Sequence, residues 1–463
     1  MATPPSNGSG RTRAAAGTDS SSSSPPPAAA VPKWHYSLAS SYVFSMVSSS
    51  DGSRVVTPPP AAPVAVASIH TATFASNAPS EDTSAVALGS SHALVGVFDG
   101  HSGQRASAFA RDHLFAFIAA SLGDGPASLA LRHGCKHNEL AAALARGFRW
   151  ADAAYLGDAA AARGDLTPAD GLPGACLLVS YLAGRDLYVA SAGDCRAVLG
   201  STAAPARLPV RRWDVPPAVV AEALDGAAAG PPGLVLAARE LRATRFATPL
   251  SLDHHGEEPS EVVRIRAEHA GEFDAIFRGR VKGRLQPTRG LGDGKYKFRA
   301  FNKASSASRR IPNPYTPPYT TAEPAVYHAQ LTSSDAFVVL GCDGLWDMFT
   351  SAEVVDMVFE WMDAPGPYTN CADYLVARVL DKAARPFVLF AGADEPIKAL
   401  VSQPARKRRR MYDDTTVAVV FLDTDKLAAA ATIDLWGGYT LVSATLRSDA
   451  RAWAIRGEED LAR

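Results

Sequence analysis

The chain has 463 residues, of which 47% are hydrophobic and 20% charged, a composition that can bury a sizeable core. Its formal net charge of −1 at pH 7 gives no electrostatic reason to expect nucleic acid or a membrane surface as a partner. No apolar run approaches the roughly 20 residues of a membrane span. The five cysteines lack the spacing of a zinc site or a disulfide framework.

Residues 1–60 are predicted to form a low-complexity N-terminal tail. The stretch "SSSSSPPPAAA" at 20–30 can neither bury apolar area nor hold a helix, which favours disorder. Arg11, Arg13 and the shortage of acidic residues leave a mitochondrial or plastid transit peptide as the alternative. A disordered tail is compatible with a cytoplasmic or nuclear protein, so the compartment stays open.

Residues 61–425 are predicted to form the folded domain, because apolar alternation and turn signals become continuous there. A block rich in Ala, Pro and Gly at about 201–245 indicates a surface insertion. Residues 426–463 form a second, Ala-rich tail. Strand patterns alternate with helical ones such as "SAEVVDMVFEWM", for which Thr350 or Ser351 is the expected N-cap. This mixture predicts an α+β fold, a layered β-sandwich with flanking helices.

Four of the predicted strands carry an aspartate at one end. "HALVGVFDG" ends at Asp99, "DLYVASAGD" at Asp194 and "DAFVVLGCDG" at Asp343, whereas "DDTTVAVVFL" begins at Asp413. Asp82 in "APSEDTSAV" adds a fifth carboxylate. Carboxylates brought together repel one another unless a cation neutralises them, and Mg²⁺ or Mn²⁺ suits an all-oxygen cluster.

Each of these features also has an ordinary explanation. A single Asp-Gly after an apolar run usually marks a turn, and we expect Gly100 and Gly344 to permit tight turns beside the carboxylates. Four such strand ends in one chain favour a metal site instead. A nucleotide site is excluded, because "GLGDGKYK" at 290–297 lacks the glycine spacing and the Ser or Thr of a phosphate-binding loop.

Six motifs in order resemble those of the type 2C protein phosphatases, which are metal-dependent serine/threonine phosphatases. They are "LVGVFDGHSG", "GACLLVSYLAGRDLYVASAGDCRAVLG", "LSLDHHGEEPSEVVRI", "RVKGRLQPTRGLGD", "DAFVVLGCDGLWDMFTSAEVV" and "DDTTVAVV". The resemblance extends from about Ser80 to Leu422. Within the family, "SNAPSEDTSA" and "IPNPYTPPYTTAEPAV" are most similar to the pyruvate dehydrogenase phosphatase branch, and "RVKGRLQPTRGLGD" is similar to plant members.

The resemblance implies a central pair of antiparallel β-sheets flanked by helices, with two Mg²⁺ or Mn²⁺ ions at one edge. By the same resemblance, Asp99 would bridge both ions, and Gly100 would bind one of them through its carbonyl. Asp343 and Asp413 would hold the second ion. The substrate would be a phosphoserine or phosphothreonine protein, and we expect a monomer.

Further residues take their expected roles from the same comparison. Glu81 and Asp82 would lie near the metals, mostly through water, and Asp194 with Asp343 would support a third ion. His101 matches the general acid proposed for the family. A water between two divalent ions would lose a proton, attack phosphorus in line and leave no covalent intermediate.

Two departures leave alternatives open. Asn77 stands where many members have an arginine that grips the phosphate, and an amide cannot offer the charged fork of a guanidinium. Asn77 is therefore only a candidate phosphate-binding residue, and a weakly active, kinase-docking regulator is one alternative function. A phosphatase of small phosphate esters is another. "RKRRR" at 406–410 indicates either a nuclear localisation signal or a solvated basic loop near the site.

Overall fold

The computed structural model describes residues 47–49, 53–58, 64–89, 92–122, 137–161, 173–203, 211–212, 239–242, 245–391 and 395–431. Most of the predicted N-terminal tail, most of the predicted insertion and the C-terminal tail after residue 431 lie outside them. In this part of the chain, no helix is both long and apolar enough to cross a bilayer.

The described strands fall into two large sheets and one short hairpin. In chain order they are β1 Val47–Ser49, β2 Arg54–Val56, β3 Val66–Phe74, β4 Thr83–Leu88, β5 His92–His101, β6 Gly174–Ala183, β7 Asp186–Ala192, β8 Arg196–Ser201, β9 Arg211–Arg212, β10 Arg239–Arg242, β11 Arg245–Pro249, β12 Ile276–Phe277, β13 Arg280–Val281, β14 Leu291–Gly292, β15 Ala325–Gln330, β16 Asp335–Gly341 and β17 Thr415–Leu422. The first sheet has the order β1-β4-β5-β6-β7-β15-β9, with β14 also paired to β6, and the second has β10-β11-β8-β16-β17-β3-β2. Neighbouring strands in both sheets are antiparallel.

The two sheets pack face to face around a shared apolar core. Side chains alternate along a strand, so each strand supplies residues to both faces of its sheet. In β5, Val95 and Val97 contribute to the core between the sheets, together with Leu340 of the second sheet. Leu94 and Phe98 of the same strand lie on the opposite, outer face. This is the arrangement of a β-sandwich.

Helices cover both outer faces of the sandwich. The described helices are α1 Arg105–Ser121, α2 His137–Ala161, α3 Pro259–Glu268, α4 Gly294–Lys297, α5 Arg299–Ala304, α6 Asp343–Trp346, α7 Ser351–Asp363, α8 Cys371–Ala391, α9 Pro396–Val401, α10 Ala405–Arg408 and α11 Thr424–Ala431. Apolar residues of α1 and α2 pack on the first sheet, and those of α7 and α8 pack on the second. The predicted α+β sandwich with flanking helices is confirmed.

Helix α7 begins at one of the two predicted caps. The Thr350 hydroxyl accepts a hydrogen bond from the Glu353 backbone N–H at 3.2 Å, and the Glu353 carboxylate accepts one from the Thr350 N–H at 2.8 Å. This reciprocal pair is a capping box, which satisfies backbone donors at the start of the helix.

The folded region extends beyond the predicted boundaries of 61 and 425. Strand β1 pairs with β4 and β2 pairs with β3, although both were expected to belong to the tail. At the other end, Leu427 of α11 is completely buried in the core between the sheets. Three-residue edge strands are too short to show an alternating pattern, so the sequence did not indicate them.

A lobe formed by residues 254–321 lies beside the sandwich and has its own apolar core, which includes Ile265 and Tyr319. A buried ion pair organises its base. Glu261 of α3, only 1% exposed, accepts hydrogen bonds from the Arg289 guanidinium at 2.5 and 3.1 Å and from Arg264 at 2.7 Å. Burial raises the pKa of Glu261, but the two guanidinium groups outweigh it and hold that pKa well below its usual range.

We predict that Glu261→Gln lowers the free energy of unfolding by about 3 kcal/mol at pH 7, because it removes the buried carboxylate that Arg289 and Arg264 share and leaves Arg264 only its exposed pair with Glu268. Folding lowers the pKa of this carboxyl below its unfolded value of about 4.3. Its contribution is therefore complete above that value and is lost as the pH falls towards the folded pKa. Urea unfolding of both proteins between pH 7 and pH 3.5 measures the difference, which should narrow below about pH 4.3.

Glu268→Gln is the matched control, since Glu268 pairs with Arg264 from the same helix but is 48% exposed. We expect it to change the unfolding free energy by less than about 1 kcal/mol. Equal destabilisation by both variants would contradict the assignment of Glu261 as the organising charge.

Candidate metal centre

The aspartates singled out in the sequence meet at one edge of the sandwich. In the first sheet, Asp82 precedes β4 and Asp99 lies near the end of β5, and the register pairs Thr83 with Phe98. In the second sheet, Asp343 follows β16, while β8 and β17 begin beside it, as Gly341 is paired to both Arg196 and Val417. Antiparallel pairing thus brings the end of one strand next to the start of its neighbour.

The same register accounts for the two remaining aspartates. Asp194 lies between β7 and β8, and Asp413 lies two residues before β17, so both occupy the edge that Asp343 occupies. Asp413 is exposed, whereas Asp194 is buried and accepts a hydrogen bond from the Cys176 thiol at 3.0 Å. Five carboxylates from both sheets therefore share one edge.

Asp99 and Asp343 form the closest part of this cluster. One carboxylate oxygen of each lies within 4.8 Å of the other and of the Cys342 sulfur. The sulfur donates to the Asp414 carbonyl at 3.3 Å and accepts from the Thr416 N–H at 3.1 Å. Burial, followed by the charges of Asp82 and Asp99, raises the pKa of the Cys342 thiol well above its usual value. The thiol therefore stays protonated, so the carboxylate oxygens of Asp99 and Asp343 are the atoms available to bind a metal ion.

The carboxylates of this cluster disfavour one another's ionised forms. Burial raises the pKa of Asp99 well above its usual value, and the charges of Asp343, Asp82 and Asp194 add to the effect. The pKa of Asp343 is raised well above its usual value by burial and then by Asp194 and Asp413. Burial and the charge of Asp414 raise the pKa of Asp82 to about 7. Mutual repulsion of this kind is relieved by a bound cation.

Two of these oxygens lack a hydrogen-bond partner in the part of the chain that the structure describes. Oδ2 of Asp82 and Oδ2 of Asp99 are buried and have no hydrogen-bond partner among the described residues. Buried polar atoms in folded proteins almost always have a partner. Unpartnered carboxylate oxygens at the centre of a repelling cluster fit a hard divalent cation with oxygen ligands.

The glycines beside the aspartates share a packing role that the sequence did not indicate. Strand β5 continues through His101, so Gly100 does not lie in a turn. A Cβ on Gly100 would lie 2.2 Å from the Glu81 carbonyl oxygen, and one on Gly344 would lie 2.1 Å from the Asp414 carbonyl oxygen. The expectation of a tight turn is wrong for Gly100, whereas Gly344 does lie in a turn, closed by the Leu345 N–H that donates to the Cys342 carbonyl at 3.2 Å. Both glycines also admit the close approach of another segment.

Asp414 organises the loop that leads to the metal site. Its carboxylate accepts hydrogen bonds from the backbone N–H groups of Ser76, Asn77 and Glu81, each at 2.7 Å. It also accepts from the Asn77 side-chain amide at 3.0 Å and from the Ser80 hydroxyl at 3.2 Å. Both oxygens act as acceptors, which an asparagine at this position could not reproduce.

Asn77 is consequently engaged within the protein. Its Nδ2 donates to Asp414, 337 residues further along the chain. This places the side chain as a positioning group for loop 76–81, and its contact with phosphate stays a prediction. Glu81, in the same loop, accepts a hydrogen bond from the Gly103 N–H at 2.6 Å through its carboxylate. Loop 76–81 is thus hydrogen-bonded both to Asp414 and to Gly103.

His101 is held by a residue that the sequence analysis missed. Its Nε2 lies 2.9 Å from Oδ2 of Asp293, which has a left-handed backbone with φ of 53° between two glycines. A Cβ on Gly174 would lie 2.3 Å from that oxygen and 2.5 Å from that nitrogen, so a side chain there would displace the pair. Burial lowers the pKa of His101, but Asp293 outweighs it and the pKa is raised.

Hydrogen bonds with Asp152 and Lys297 fix the loop that carries Asp293. The Asp152 carboxylate accepts from the Gly292 N–H at 2.7 Å and from the Lys297 ammonium at 2.7 Å. Lys297 also donates to the Gly290 carbonyl at 2.7 Å. The sequence signal for Asp293 is its position between two glycines in "GLGDG". In the sequence, this stretch was compared only with a phosphate-binding loop.

Comparison with known proteins identifies the family. The sequence profile described as protein phosphatase 2C matches residues 67–210 and 233–386, which is well over half of the chain. The chain belongs to the protein phosphatase 2C family. This family is metal-dependent in general, in agreement with the carboxylate cluster.

Relatives occur in plants and yeast. The chain is 31% identical to a probable protein phosphatase 2C 40 of Arabidopsis thaliana over 56% of its own length and 43% of that protein. It is 30% identical to a protein phosphatase 2C homolog of Schizosaccharomyces pombe over 72% of its length and 74% of that protein. A solved serine-threonine phosphatase 2C from Toxoplasma gondii has a TM-score of 0.47 and 17% identity, covering 80% of this chain and 99% of that one. The chain spans less than half the length of the Arabidopsis relative.

We predict that Asp99→Asn stabilises the metal-free protein and abolishes its stabilisation by metal. A neutral amide removes a buried charge that repels its neighbours, which is worth about 1 kcal/mol for each pKa unit relieved and raises the melting midpoint by about 2–4 °C. Thermal unfolding with EDTA and with saturating Mn²⁺ measures both effects. Asp112→Asn, an exposed carboxylate on α1, is the control and should keep the Mn²⁺-induced rise. A full Mn²⁺ response in Asp99→Asn would refute the ligand assignment.

Proposed function

We propose that this chain is a metal-dependent protein serine/threonine phosphatase that hydrolyses phosphoserine and phosphothreonine without a covalent intermediate. The observation that carries the proposal is the buried carboxylate cluster beside the His101–Asp293 pair, with its unpartnered oxygens, in a chain of this family. Family membership implies a phosphoprotein as substrate. The similarity of loop 76–85 to the pyruvate dehydrogenase phosphatase branch makes that complex one candidate.

Asp99 and Asp343 are the residues best placed to hold a cation, since their oxygens already lie within 4.8 Å of each other. We assign two Mg²⁺ or Mn²⁺ ions to the site, with the Gly100 carbonyl and Asp413 completing the ligands. Asp82, Asp194 and Glu81 would support them through water or at a weaker third site. Divalent ions bound there lower the pKa of water and neutralise negative charge on phosphoryl oxygens.

His101 supplies the proton that the departing serine or threonine oxygen needs. An alkoxide is a poor leaving group, and an imidazolium beside it can protonate it as the bond breaks. Asp293 holds the ring through Nε2 and favours its protonated form, because the carboxylate raises the pKa of His101. Asp152 and Lys297 position Asp293 in turn.

Metal-dependent turnover is the direct test of the proposal. The full-length protein, stripped with EDTA, should hydrolyse a phosphoserine or phosphothreonine peptide only after Mn²⁺ or Mg²⁺ is restored. A set of sugar phosphate esters should be hydrolysed with much lower kcat/KM. Faster hydrolysis of the esters would favour a small-molecule phosphatase, and no turnover with either metal would favour a non-catalytic regulator.

We predict that His101→Ala lowers kcat/KM about a hundredfold or more for a phosphoserine peptide, the range expected for loss of a general acid. The loss should be much smaller for p-nitrophenyl phosphate, because p-nitrophenolate leaves without a proton. Asp293→Asn should give a smaller loss with the same dependence on the leaving group. His113→Ala, an exposed histidine on α1, is the control. Equal losses on both substrates would contradict the assignment of His101 as the acid.

A further inference from the structure

Loop 76–81 brings no positive charge to the metal site. Its sequence "SNAPSE" contains neither lysine nor arginine. The Asn77 amide, at the position where many relatives have a phosphate-binding arginine, is bound to the Asp414 carboxylate at 3.0 Å. A phosphate dianion is bound most strongly by charge-assisted hydrogen bonds, and guanidinium is the group whose geometry matches it. If the substrate phosphate contacts an arginine here, another segment must supply it.

The basic segment 405–410 lies directly against this loop. Arg408 donates from Nε and Nη2 to the Ser76 carbonyl at 3.3 and 3.0 Å. Its Nη1 donates to the carbonyls of Val401 and Gln403 at 3.2 and 3.0 Å. All three nitrogens of this side chain are therefore used on backbone carbonyls, so Arg408 docks the segment on the loop.

Arg409, the next residue, approaches Glu81 of loop 76–81. Its Nη2 lies 3.7 Å from Oε2 of Glu81, which is longer than a hydrogen bond. The Arg409 side chain is 51% exposed and that of Glu81 is 18% exposed. An exposed pair at this separation contributes little to folding stability. The carboxylate therefore keeps the guanidinium close without forming a hydrogen bond to it.

Glu81 in turn adjoins the residues that would carry out the chemistry. Its other carboxylate oxygen accepts from the Gly103 N–H at 2.6 Å, two residues after His101. Its carbonyl oxygen accepts from the Ser107 hydroxyl and lies so close to Gly100 that no side chain fits there. Arg409 thus lies beside the carboxylate of a residue whose backbone carbonyl packs against Gly100.

We propose that Arg409 binds the substrate phosphate and that Arg408 positions it; this inference rests on the phosphatase function proposed above. When the substrate arrives, the Arg409 guanidinium forms two parallel hydrogen bonds to phosphoryl oxygens, in place of its longer contact with Glu81. The positive charge comes from the segment before β17, and loop 76–81 contributes only the platform on which that segment rests. The basic run at 406–410 thereby has a role in binding the substrate phosphate.

The test compares Arg409→Ala with Arg410→Ala, two exposed arginines of the same run that lose the same charge. In the Mn²⁺-loaded full-length protein, we expect Arg409→Ala to raise the KM for a phosphopeptide and the inhibition constant of inorganic phosphate roughly tenfold, or about 1.4 kcal/mol. The change in kcat should be smaller. Arg410→Ala should leave both constants within about twofold, a difference of at most about 0.4 kcal/mol.

Conservative variants separate binding from structure. Arg409→Lys keeps the charge but lacks the fork, so it should recover only part of the phosphate affinity. Arg409→Gln keeps most of the aliphatic stem. It replaces Arg409→Ala in the comparison if the alanine variant unfolds at a lower urea concentration than the wild type. Equal constants for the Arg409 and Arg410 variants, whether both unchanged or both raised, would overturn the inference.

Calorimetric titration of inorganic phosphate into the Mn²⁺-loaded protein keeps this inference distinct from the proposed function. Absence of wild-type turnover would overturn the phosphatase proposal, yet phosphate binding that depends on Arg409 and not on Arg410 would still support the inference. Normal wild-type turnover with phosphate binding that is insensitive to Arg409 would overturn the inference alone.

Discussion

Repulsion among buried carboxylates at one edge of the sandwich is the constraint on which the rest of this structure depends. Asp99 and Asp343 come from different sheets, and the apolar core between the sheets holds them within 4.8 Å. Their raised pKa values and the unpartnered Asp99 oxygen indicate that the described residues around the site do not compensate this charge. Folds retain such local conflicts at functional sites, where a ligand resolves them.

The packing behind the cluster serves the same end. A backbone carbonyl oxygen from another segment packs closely against each of two glycines. Glu81 supplies it for Gly100, and Asp414 supplies it for Gly344. These contacts bring loop 76–81 and the start of β17 against the two strands that carry the closest aspartates. Asp414 then joins the loop to β17 by accepting five hydrogen bonds. The two Asp-Gly sequences are therefore sites of close packing between segments.

Charge of the opposite sign is arranged around this edge and not within it. The His101 imidazole, whose pKa is raised, contacts Asp293 of the lobe. Arg409 lies near Glu81 of loop 76–81. The carboxylates that approach these two groups, Asp293 and Glu81, are not the two closest aspartates of the cluster. Such placement keeps positive charge near the site without neutralising the oxygens that a cation needs.

The sequence alone determined the fold class, the strand ends that carry Asp99, Asp194, Asp343 and Asp413, and the acidic loop before β4. These features are local, since an alternating apolar run that ends in an aspartate is visible within ten residues. Only the tertiary structure decided the contacts between segments far apart in the chain. Asp293 reaches His101 across 192 residues and Asp414 reaches Asn77 across 337. No periodicity encodes such pairs, because they depend on how the two sheets and the lobe pack together.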